Sequence, residues 1–288
     1  MAQNPTTSAA RMTVPVGAGE DRRAAGRALG ALSERTARLG GILALTAAVL
    51  RALARPPFAW RREFVVAAAG MVRQTFWPIG LTVAIWGFSG PGLQAGNFLL
   101  AFGSVDRAGG FMVVSIVREF GTIVVAGIAA GMVGTMLTAE LGTRRIRGEL
   151  DALEVLGVDP VAAIVAPRTL ALVVVMATMN VFALILGVAG GYVASVGLLG
   201  GTTGAFLESF VANATFVDLA ASVLKVALFG LLIGVISSWH GLNAEGGAHG
   251  VGAAVNRAVV GSLLAVFVVN LLYTQWFLAA FPQANVLR

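Results

Sequence analysis

Five stretches of this chain are apolar for long enough to cross a hydrocarbon layer, and no other feature constrains the fold as strongly. They fall at Pro78 to Phe98, Phe111 to Thr138, Val161 to Tyr192, Asp218 to Trp239 and Val255 to Phe281; a spanning helix needs about 20 such residues. Inside lipid every backbone polar group must be satisfied within the segment, so the spans are helices. The sequence therefore predicts an all-α integral membrane protein with five transmembrane helices. Composition agrees: 57% of the 288 residues are hydrophobic and 12% are charged, about half the charge of a soluble domain. With no cysteine, disulfides and thiolate metal sites are excluded. The 37 glycines follow no Gly-X-Y period, which leaves close helix packing as their use.

The segment before the first span divides in two. Residues 1–27 are polar and Arg-rich, with no apolar core of a secretory signal, and are expected to form a mobile cytoplasmic tail. Residues 28–76 are expected to be amphipathic and interfacial. From Ala28 to Leu53, leucines interleave with Arg35, Arg38 and Arg51; Pro56 and Pro57 break that helix, and Trp60 to Phe76 resumes it. Residues 77–288 are expected to form the membrane-spanning body. Sixteen of the twenty cations fall on one side of the five spans, with only Arg107 and Arg288 opposite. The positive-inside bias places the N-terminus in the cytoplasm and the C-terminus outside. Nucleic acid is a poor explanation for the +6 charge.

Three charges lie within the proposed hydrocarbon region: Arg118, Glu119 and Lys225. Such charges usually face a cavity or one another, which makes them candidates for the substrate path. Arg118 and Lys225 each lie seven residues in from the same side, roughly 10 Å deep at 1.5 Å per residue. Neighbours on a helix point about 100° apart, so Glu119 cannot satisfy itself on Arg118. The expectation is a Glu119–Lys225 pair, with Arg118 left free for an anionic head group. Helix packing alone is the competing use, and a proton relay at Glu119 in an ion-coupled carrier is a further alternative.

Between the second and third spans runs a charged segment from Glu140 to Asp159. Ile146, Leu150, Leu153 and Leu156 fall on one stripe of a helix. Arg144, Arg145, Arg147, Glu149, Asp151 and Glu154 cover the rest. Arginines toward its start and acids toward its end oppose the dipole of a single helix; Gly148 weakens its middle, and Gly157 with Pro160 stops it. It either packs on the spans or docks on a partner. Glycine pairs at four-residue spacing, Gly127/Gly131, Gly187/Gly191 and Gly230/Gly234, permit close helix approach within a subunit or between subunits.

Several runs then resemble one family. Arg118-Glu-Phe-Gly121, Ala139-Glu-Leu-Gly-Thr143, Leu153-Glu-Val-Leu-Gly-Val-Asp-Pro160, Gly230-Leu-Leu-Ile-Gly234 and Gly241-Leu-Asn-Ala-Glu-Gly-Gly247 resemble the MlaE/YrbE permeases of ABC transporters that work with MCE proteins. Arg55-Pro-Pro-Phe-Ala-Trp60 is similar to A-type YrbE subunits of actinobacterial Mce systems. The resemblance implies a permease of a bacterial inner-membrane lipid importer, paired with a second, B-type YrbE subunit and capped outside by MCE proteins. An ABC ATPase would drive it, using ATP and Mg, while this chain binds no cofactor itself. It also implies that Glu140 to Asp159 is the coupling helix on the ATPase. Relatives often carry proline where this chain has Thr122.

Other motifs carry less. The only lysine, Lys225, lies outside any P-loop pattern, so the chain does not hydrolyse ATP. Gly246-Gly-Ala-His-Gly-Val-Gly252 follows no strand and reads as a loop. Gly87-Phe-Ser-Gly90 has the form found in rhomboid proteases, but Ser89 falls in the outer half of the first span while His240 and His249, which could be offered as its base, follow the fourth span on the cytoplasmic side; a nucleophile and its base must meet within about 3 Å. The two histidines lack a carboxylate pair at ligand spacing.

Overall fold

The computed structural model describes the backbone of residues 17–55 and 60–282, with side chains for 36–55 and 60–282. Residues 1–16 of the expected tail, the breaking prolines Pro56 and Pro57, and the C-terminal Arg288 lie outside the described residues.

Helix α1 runs Gly17–Ala54. Within it, Thr36–Ala54 is 19 residues long with mean hydropathy 1.6, long and apolar enough to cross a membrane. Six segments therefore meet that criterion among the described residues, one more than the five expected from the sequence. The reason lies in the arginine positions: Arg38 and Arg51 fall near the two ends, and the stretch from Leu39 to Leu50 between them has no charge.

The expected second interfacial segment is not separate either. Helix α2, Arg61–Gly87, passes through Pro78 without ending, because a proline removes one N–H from the ladder but neighbouring groups can tolerate that gap in an apolar bundle. It continues through a wide π turn at Phe88–Ala95 into α3, Gly96–Ala101. The next long segment begins with a short turn at Val105–Arg107 and α4, Ala108–Met112. A π turn at Val113–Phe120 follows, then α5, Gly121–Ala129, a second π turn at Ala130–Gly134, and α6, Thr135–Ile146. The short α7, Glu149–Val155, and a π turn at Val161–Val165 lead into α8, Ala166–Gly197. The chain closes with α9, Thr203–Asn213, α10, Phe216–Leu242, and α11, Gly247–Ala280.

Within residues 45–288, small residues set which helices approach closely. Helix α2 lies along α8, and a Cβ on Gly87 would run into the Gly187 carbonyl oxygen. Helix α10 meets α8 at Gly230 and Gly234, against Val173 and Thr169, and meets α6 at Gly241, against Leu141 and Thr138. Two of the three glycine pairs thus serve packing inside the subunit. Gly127 and Gly131 meet nothing within 4 Å. Met71, Ile79, Val83, Leu172, Met176, Phe229 and Ile233 fill the core between these helices.

Candidate functional site

The π turn at Val113–Phe120 carries Arg118 and Glu119. Its widened winding takes the Gly121 N–H back to the Ile116 carbonyl, five residues away. Such turns often occur at functional positions. From α10, the Lys225 ammonium reaches this turn and donates to the Arg118 carbonyl at 2.6 Å. It also donates to Glu119 Oε1 at 3.4 Å, Asn270 Oδ1 at 3.1 Å and Thr274 Oγ1 at 3.2 Å. Four acceptors thus surround three protons, and the Tyr273 ring lies 5.7 Å away. Glu119 is held in turn by the Thr274 hydroxyl at 2.5 Å and the Asn270 amide at 2.9 Å. The Lys225 side chain is 4% exposed, so this dense shell of partners is what makes a buried ammonium tolerable.

The expected Glu119–Lys225 contact is therefore present, but Arg118 is not left free. Its Nε donates to Asp218 Oδ1 at 2.8 Å, with the two side chains 13% and 2% exposed. A guanidinium at this depth takes a carboxylate because an unpaired buried charge is costly. The same carboxylate also caps its own helix, since Asp218 Oδ2 accepts from the N–H and hydroxyl of Thr215 and closes a capping box at the start of α10. Sequence reasoning missed Asp218, Asn270 and Thr274. The first was signalled by Thr215-Phe-Val-Asp218, a capping pattern ahead of an apolar run. The other two had no such signal, since an Asn and a Thr in a span show their role only once α11 is docked.

Arg118, Glu119, Asp218, Lys225, Tyr273 and Thr274 line a cavity of about 230 Å³. Ser222 and the apolar Val114, Ala221, Phe277 and Leu278 complete its lining, so charge-bearing and apolar groups share one small volume.

The Glu140 to Asp159 segment is not one helix. Gly148 takes φ of 71° and Gly157 of 76°, conformations that suit glycine, and they bracket α7. Splitting at Gly148 resolves the dipole conflict: Arg144 and Arg145 now end α6, while Glu149 and Asp151 begin α7. The expected apolar stripe is broken with it. Leu150 is buried and Leu153 half-buried, whereas Val155 and Leu156 are 88% and 76% exposed, with Val158 beside them at 40%. The charges are largely spent on one another: Arg144 on Glu140 at 2.9 Å, Arg145 on Asp151, and Arg147 on Glu149 at 3.7 Å. Glu154 is exposed, and Asp159 accepts from the Val161 N–H at 2.9 Å. What protrudes is an apolar tip.

Residues 64–276 match the family described as Permease MlaE, which covers more than half of the chain. This chain belongs to the MlaE permease family. A probable ABC transporter permease of Synechocystis is 34% identical over 186 residues, 65% of this chain and 70% of that protein. The intermembrane phospholipid transport system permease protein MlaE of Haemophilus influenzae is 28% identical over 184 residues, 64% and 70% of the two chains. A similar permease of Rickettsia bellii is 28% identical over 252 residues, 85% of this chain and 96% of its own length. This MlaE-family chain is a multi-span membrane permease, and Arg118, Glu119, Lys225, Asn270 and Thr274 all fall inside the matched region.

Proposed function

We propose that this chain is the membrane subunit of an ATP-driven lipid transporter in a bacterial inner membrane, acting with a second permease of its family, a cytoplasmic ABC ATPase and MCE proteins on the outer side. The observation that carries this reading is the cavity beside Arg118, Glu119, Asp218 and Lys225, in a chain whose family includes a permease named for phospholipid transport. The apolar lining residues suit acyl or ring carbon, and the charged and polar ones suit the end of a lipid where head group meets chain. No step of bond making belongs to this chain.

The exposed Val155–Leu156 tip is the surface offered to the ATPase. Burying two large apolar side chains is worth about 1.5–3 kcal/mol each, whereas exposed ion pairs contribute about 0–1 kcal/mol. The cation distribution supports a cytoplasmic position for this tip and for the N-terminus, with the C-terminus outside.

The rival reading is a carrier driven by an ion gradient, with Glu119 as proton relay. Reconstitution with the ATPase in vesicles separates the two. Lipid transfer that requires ATP and survives an uncoupler supports the ABC reading; transfer that needs no ATP and stops with the uncoupler rejects it.

A further inference from the structure

Three long segments meet at one guanidinium. Arg168, in the first turn of α8, donates from Nε and Nη2 to Glu63 Oε1 at 2.9 and 2.8 Å, and its Nη1 lies 2.5 Å from Glu140 Oε2. Glu63 belongs to the first turn of α2 and Glu140 to α6. The Arg168 side chain is 12% exposed, against 38% for Glu63 and 36% for Glu140, so the guanidinium is the buried member of both pairs. The other oxygen of Glu140 accepts from Arg144 at 2.9 Å, and Arg144 lies 3.9 Å from Glu149, the first residue of α7. A continuous series of ion pairs therefore runs from α7 through α6 to α8 and α2.

The mechanical setting gives that series a use. Helix α7 is two turns long and hinged at both ends by left-handed glycines, Gly148 and Gly157. It is held to the body by Leu150, which is 3% exposed, and by ion pairs to the end of α6. A planar guanidinium fixes the angle between its two carboxylates, which an ammonium does not. We propose that Arg168 is a positioning residue that carries a displacement of α7 to the starts of α2 and α8, so that movement at the docking tip reaches the spans as a coordinated shift. The proposal rests on the reading that this tip docks on an ATPase. Coupling through contiguous contacts of this kind is measurable when one contact is removed.

The test uses the complete transporter in phospholipid vesicles, measuring bound ATPase, ATP hydrolysis and lipid transferred per ATP. Arg168→Gln should keep the ATPase bound and hydrolysing, while lipid per ATP falls about tenfold. Glu63→Gln is the gentler variant, because Glu63 is partly exposed and Arg168 keeps Glu140; it should give a smaller loss in the same direction. Arg168→Lys should recover only part, because charge returns without the fixed angle. Unchanged lipid per ATP in both Arg168→Gln and Glu63→Gln would overturn the relay. So would a loss matched by equal loss of bound ATPase, since Arg168 would then be holding the docking surface. Absence of ATPase from the unaltered transporter overturns the docking reading and the relay with it.

Discussion

Arg118 and Asp218 stand one hundred residues apart in the chain and are joined at 2.8 Å, so that the π turn at Val113–Phe120 is tied to the capped start of α10. Beside them Glu119 and Lys225 form a second pair at 3.4 Å. Each cation of the cavity wall therefore has a carboxylate of its own.

Removing one member of a buried pair strands the other, at a cost of about 3–5 kcal/mol. Lys225→Met or Glu119→Gln alone should lower the unfolding temperature of the detergent-solubilised protein more than the two together. The same should hold for Arg118→Gln and Asp218→Asn. Additive losses in both double variants would show that the pairs are not the unit of stability. Lipid transfer by Arg118→Gln at normal assembly tests its place in the path, with normal transfer ruling it out.

Leu156→Asp and Val155→Asp should release the ATPase while the permease still inserts and purifies. Leu150→Asp should instead damage folding, because that side chain is buried against the body. Undiminished copurification of the ATPase with the two tip variants would reject the docking surface.

Gly87→Ala should disrupt the bundle, since a Cβ there would collide with the Gly187 carbonyl and α2 could not stay against α8. Gly131→Ala meets no neighbour within the subunit and should leave thermal unfolding of the monomer unchanged. A large loss for Gly131→Ala in the isolated subunit would contradict this packing.

The native chain has no cysteine, so single introduced cysteines report topology directly. Cysteines at Glu154 and Glu208, both exposed, should react with an impermeant reagent from opposite sides, Glu154 from the cytoplasm and Glu208 from outside. Reaction of both from one side would refute the topology. Cysteines at Arg38 and Arg51 decide the extra apolar segment: labelling of both from the cytoplasm places it on the surface, and labelling from opposite sides makes it a sixth span.

Five of the six long apolar helical segments among the described residues were legible because twenty apolar residues in water have no stable alternative, and hydropathy alone carries that information. Helix continuity was harder to read. Pro78 looks like a boundary and is not one, because its local penalty is absorbed where backbone and side chains can adjust. The break at Gly148 is written in the charges: arginines followed by acids disfavour one helix and favour two, a conflict plain in the sequence whose resolution shows only in the fold. Glu119 and Lys225 can be paired from depth alone. Asp218 cannot be assigned to Arg118 that way, since it lies at the start of α10 and reaches back across to another helix.

The wide turn at Val113–Phe120 also sets a phase relationship along its segment. On its N-terminal side Gly109 and Gly110 are seated against α9, where added Cβ atoms would meet Phe206 and Asn213; on its C-terminal side Glu119 faces Lys225 and α11. Both faces are docked at once only because the winding between them is looser than an α-helix. Ordinary α winding through the same residues would advance the chain by about one residue's turn more and rotate one end against the other by about 100°. A point substitution there alters a contact, whereas retightening the whole turn with every residue kept would force the protein to choose between α9 and the buried ion pairs.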